Sequence, residues 1–170
     1  MQVISMVACV LLTTALHAQS ISDFSGTWRV DPTKVATKVS VAKNPPADAP
    51  AIPPAPPENH QYTLEEIRVS GQILKISGGE AGTTAVYTID PSGKEVSDPI
   101  PDAPGSVRVA STRWSHGKLI TQWKLTRNGE VFMHGTDTRS LTSDGEQIVE
   151  RVIESPRHQA EVKLVLARVH

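Results

Sequence analysis

Two dipeptides, His116-Gly117 and Asn128-Gly129, constrain this chain more than any other feature. Each separates two runs of β-branched and apolar residues, and supplies residue types that tolerate the positive φ of a two-residue hairpin turn. A turn of that length also fixes which residues face one another. The first turn sets Trp114 opposite Leu119, Thr112 opposite Thr121 and Ala110 opposite Trp123. Counting back from the second sets Leu125 opposite Phe132, Trp123 opposite His134 and Thr121 opposite Thr136. One face of the three-strand ribbon then collects Ala110, Thr112, Trp114, Leu119, Thr121, Trp123, Leu125, Phe132, His134, Thr136 and Thr138. The other carries Ser111, Arg113, Gln122, Lys124 and Asp137, with Ile120 and Met133 as exceptions. The aromatic face is expected to be the inside.

The rest of the chain repeats this pattern. Short β-branched runs at Thr27–Val30, Tyr62–Ser70, Ile73–Ser77, Thr83–Ile89, Val107–Ser115, Leu119–Arg127, Glu130–Leu141, Gln147–Glu154 and Val162–Val169 read as strands. Gly71-Gln72, Gly78-Gly79, Ser92-Gly93 and Ser143-Asp144-Gly145 read as further turns. The segment Val35 to Val41 fits either a short helix or an edge strand. The expected fold is all-β, an antiparallel up-and-down meander of about eight or nine strands that closes into a barrel, because closure removes exposed edges.

Met1 to Ala18 holds an apolar run too short for an ordinary membrane span and ends in a small residue, although no Lys or Arg precedes it. This reads as a signal peptide (1–18) cut after Ala18. The remaining residues, 19–170, are expected to form one domain exported to the periplasm or beyond the cell. Cys9 is the only cysteine and leaves with the signal, so packing alone must stabilise the mature chain. Residues 43–60 are rich in proline, which favours an extended, stiff backbone, and form a loop or arm within the domain. A formal net charge of -1 leaves no basic surface for nucleic acid, and no later apolar run is long enough to cross a membrane.

The usual catalytic signatures are missing. His60, His116, His134, His158 and His170 form no pair spaced to bind a metal, so no metal or cofactor is expected. Ser77 to Gly82 is glycine-rich but lacks the lysine of a phosphate cradle, and no Gly-x-Ser-x-Gly elbow occurs. Of Glu65, Glu66, Asp98, Asp102, Asp137, Glu150 and Glu154, no spacing singles out an acid-base pair, and most are expected as solvated charges on the outer face, with either Glu150 or Arg151 able to point inward. An enzyme is therefore not the expected reading. Two others stay open. In one, Trp114, Trp123, Phe132 and His134, with Thr112, Thr121 and Thr136, bind a small apolar or amphipathic ligand inside the barrel. In the other those side chains fill a structural barrel, and the proline-rich arm docks a protein partner. A monomer is expected in both.

The segment Asp23-Phe-Ser-Gly-Thr-Trp-Arg-Val-Asp-Pro32 places Gly26-x-Trp28 at the head of a β-rich chain, and resembles the opening of lipocalin and calycin barrels. Together with Tyr87 to Glu95, Arg113 to Ile120 and Leu141 to Ile148, it resembles a group of exported bacterial proteins of unassigned function, over nearly the whole mature chain. The resemblance implies a lipocalin-like barrel. It also implies that Trp28, after Gly26, closes the barrel bottom under an arginine near the last strand, here Arg168. Such a cation–π contact is worth about 1 kcal/mol.

Overall fold

The computed structural model describes residues 19–41, 64–79, 85–100 and 103–170. The expected signal and the proline-rich arm lie outside them. The described residues form eleven strands: β1 (Gly26–Val30), β2 (Ala36–Val41), β3 (Leu64–Ser70), β4 (Ile73–Gly79), β5 (Ala85–Ile89), β6 (Ser92–Pro99), β7 (Ser106–Ser115), β8 (Lys118–Arg127), β9 (Glu130–Leu141), β10 (Gln147–Glu154) and β11 (His158–Val169). They make one antiparallel sheet in the order β5-β4-β3-β1-β11-β10-β9-β8-β7-β6, with β2 also paired to β11. From β6 to β11 each strand pairs with the next in sequence, as do β3 to β5, and β1 joins β11 to β3. The sheet thus curls into a nearly closed barrel.

One seam interrupts the ring. Between β5 and β6 there is no ladder, but the Asp98 carboxylate on β6 accepts the Thr88 backbone N–H of β5 at 3.0 Å. From β7, Arg108 reaches over β6 and lays its guanidinium on the Tyr87 ring at 4.8 Å. Side chains here join what backbone pairing leaves apart.

The barrel has more strands than the eight or nine expected, and the two additions have physical reasons. β6 begins at Ser92-Gly93, which reads as a turn, and only Val96 among its following residues is a β-branched apolar one; its place is held by the buried Asp98 instead. β2 resolves the ambiguity at Val35 to Val41 as an edge strand, exposed throughout. It continues β1 along β11, with Ala36 opposite Lys163 and Val30 opposite Leu166. The 3-10 turn Pro32–Lys34, capped by Asp31, forms the step between them.

The first hairpin has the expected pairs: Trp114 with Leu119, Thr112 with Thr121, Ala110 with Trp123. His116 (φ 49°) and Gly117 (φ 75°) take the positive angles this turn requires, as do Asn128 (φ 52°) and Gly129 (φ 87°) in the second. The second hairpin nonetheless differs from expectation by one residue. Thr126 faces Val131 and Leu125 faces Met133, so Phe132 is an unpaired bulge. A bulge of one residue turns over every side chain beyond it. Trp123 therefore faces Gly135 rather than His134, and Thr121 faces Asp137 rather than Thr136. Gly135, Asp137 and Arg139 join the inner row, while His134, Thr136 and Thr138 go to the outer one.

Candidate functional site: the inner face of the barrel

The inner face divides in two along β7 and β8. At the end bearing the His116-Gly117 turn, the 3-10 helix Ile21–Phe24 plugs the barrel. Phe24 meets Trp114 edge-on at 6.0 Å, and Trp28 donates its indole N–H to the Phe24 carbonyl at 2.9 Å. Around them Ile67, Leu74, Leu119, Val149 and Leu166 are all essentially inaccessible to solvent. Arg168 lies 4.6 Å over the Trp28 ring and donates to the carbonyls of Ser25 (2.8 Å) and Asp23 (2.6 Å). It ties the last strand to the plug. Gly26 is needed beside it, because its φ of 133° disfavours other residues and a Cβ there would stand 3.2 Å from the guanidinium.

Beyond this plug the lining is charged, contrary to the expectation that the carboxylates are solvated outside. Arg139 on β9 crosses the interior to Glu65 on β3 and makes a two-pronged ion pair at 2.7 and 3.2 Å. Burial works against the Glu65 charge, but the Arg139 fork outweighs it and holds the carboxyl below its usual range. Asp137 accepts both prongs of Arg151 at 2.8 Å and the Trp123 indole N–H at 2.8 Å. Its carboxyl is also depressed: burial opposes ionisation, and Arg151, Arg139 and the Trp123 bond overcome it. Arg151, rather than exposed Glu150, is the inward member of that pair.

Of the other sequence candidates, Thr112 and Thr121 are buried and hydrogen-bonded to each other at 2.8 Å. Trp123 is buried against Gly135, where a Cβ would come within 2.6 Å of the indole ring. Trp114 belongs to the plug. Phe132 is half-buried beneath the Arg127 guanidinium, 5.4 Å from its ring. His134 stands on the outer face with its side chain 57% exposed, 4.0 Å from Glu154, and Thr136 shares that face.

Arg108, Asp137 and Arg139 are inner-face residues that reasoning from the sequence misses. Two signals point toward them. Arg108 shares the parity of Ala110, Thr112 and Trp114 on one strand. Gly135, a glycine inside a strand, marks a bulge or a close approach, here that of Trp123.

No family model matches the chain, and no curated protein does. Among solved structures, one named REP1-NXSQ fatty acid transporter superposes with a TM-score of 0.55 at 11% sequence identity, covering 88% of this chain and 98% of its own. At that identity the likeness concerns the fold alone. What the two share is an antiparallel β-barrel, all-β as the sequence leads one to expect. Among the described residues, no helix is long and apolar enough to cross a membrane.

Proposed function

We propose that this protein is an exported binding module that holds a small apolar or amphipathic molecule inside its barrel. The observation that carries this is the division of the inner face. One end is sealed by packed apolar side chains, while further along the wall presents Ala110, Thr112, Thr121 and Gly135, small residues, beside Trp123 and a set of polar groups. Barrel diameter grows with strand number, and a ring of about ten strands encloses more than the eight that side chains alone can fill. Small ligands are held by mostly apolar walls bearing a few fixed polar groups. The fatty acid transporter of similar fold supports the same class of ligand.

The ligand contacts in this reading are Trp123, Phe132, Thr112 and Thr121, with Trp114 at the floor. The competing reading, a filled barrel serving as an interaction module through residues 43–60, draws on the Glu65–Arg139 pair, which already spans the interior. Tryptophan fluorescence separates the two. Titrating the protein with a panel of aliphatic alcohols, acids and sterols is expected to give saturable change for at least one class, because Trp123 lies in the wall. A flat response across the panel would favour the filled barrel.

A further inference from the structure

Three arginines project into the barrel wall, and two are fully engaged. Arg139 grips Glu65 with both prongs, and Arg151 does the same with Asp137. Arg108 is different. It is only 7% exposed, yet its Nη1 has no hydrogen-bond partner. The nearest carboxylate oxygen, Asp98 Oδ2, is 3.9 Å away, too far to accept, and already takes the Thr88 N–H. Stacking on Tyr87 at 4.8 Å uses the face of the guanidinium and does nothing for the N–H groups along its edge. Asp98 thus balances the Arg108 charge only as a loose ion pair, and a buried guanidinium N–H left without an acceptor is costly.

We infer that Arg108 anchors the acidic group of the ligand, a carboxylate, so that the barrel takes amphipathic acids in preference to neutral or cationic amphiphiles. This rests on the reading of the barrel as a ligand-binding one. The planar fork of a guanidinium matches a carboxylate, as Glu65 and Asp137 show on the other two arginines. Leu125 faces Arg108 directly across the β7–β8 ladder, and Trp123 is its diagonal neighbour, so apolar surface for an aliphatic chain adjoins the charge.

Decanoate and decanol share a chain and differ in charge, and decyltrimethylammonium supplies the opposite charge; each is titrated calorimetrically into the full chain and its variants at neutral pH. Wild-type protein is expected to bind decanoate about tenfold or more tightly than decanol, and the ammonium more weakly than either. Arg108→Gln is expected to bring decanoate down to the level of decanol. Should that variant fail to fold, the wild-type preference among the three probes decides by itself. Equal binding of decanoate and decanol by wild type would overturn the Arg108 anchor and leave the binding barrel standing. A preference that survives in folded Arg108→Gln would place the anion elsewhere and overturn it too. Binding of none of the three would remove the barrel reading, and the anchor with it.

Discussion

The two halves of the barrel interior are stabilised by different physics. At the plugged end Phe24, Trp28, Ile67, Leu119, Val149 and Leu166 are packed with at most 1% of their surface exposed. The side-chain bonds that tie this end together, from Gln19, Ser25, Trp28 and Arg168, all end on backbone carbonyls. Toward the seam, charged side chains share the wall with Trp123, and one of them, Arg108, has a guanidinium nitrogen without an acceptor. Packing of the first kind gives a rigid base that needs nothing added. Wiring of the second kind sets up a polar environment before any ligand arrives and is costly to leave incomplete. Under the proposed function the contrast is what a container needs: stability concentrated in the floor, chemistry in the wall.

That contrast can be broken from either side. The largest effect is expected at the floor, where Trp28→Ala removes the centre of the plug and should cost about 3–5 kcal/mol in urea unfolding. A cost below about 1 kcal/mol would mean that the plug is not the base of the fold. In the wall, Glu65→Leu takes the counter-charge from Arg139, leaving it a 3.4 Å bond to Gln147, and should cost about 3 kcal/mol, whereas Glu65→Leu with Arg139→Met should recover most of it. A double variant no better than the single would show that the pair does more than neutralise itself.

The same carboxylates set the acid limit. Glu65 and Asp137 have folded-state pKa values below their unfolded ones. Their contribution is therefore fully present above the unfolded values, near pH 4, and is lost as pH falls through the folded ones. Stability should hold from neutral pH to about 4 and drop below it, and the drop should be shallower in the Glu65→Leu, Arg139→Met variant. A stability that falls already between pH 7 and 5 would point to other groups.

Smaller effects sharpen the boundary between inside and outside. Gly135→Ala pushes a methyl against the Val152 carbonyl as well as the Trp123 ring and should cost about 3 kcal/mol, with a shift in tryptophan emission. His134→Ala, one residue away on the outer face, should change stability by less than about 0.5 kcal/mol and leave ligand binding untouched. Reversed magnitudes for that pair would restore the register without the bulge.

These residues also show how far the sequence could be read. The hairpin at His116-Gly117 was legible because a two-residue turn leaves no freedom in the pairs beyond it. The hairpin at Asn128-Gly129 has an equally plain turn, but the bulge at Phe132 comes three residues later. Phe132 and Met133 are both apolar, so the hydrophobic pattern fits either register. Only Gly135 carried the distinction, as the one residue with room for an indole across the ladder. The charged wall was illegible for a related reason. Alternation rules place charges outside, and the contacts that bring Glu65 and Asp98 in join strands with no ladder between them, β3 with β9 and β6 with β5. Arg108 differs, since strand parity alone aligns it with Trp114.

The most direct test of a container is to weigh it. Native mass spectrometry of protein purified gently from the cells that make it, compared with the same sample denatured, is predicted to show an excess mass in the native form that disappears on denaturation and belongs to a small amphipathic acid. Identical native and denatured masses, in protein that also gives no saturable response to the ligand panel, would contradict the account.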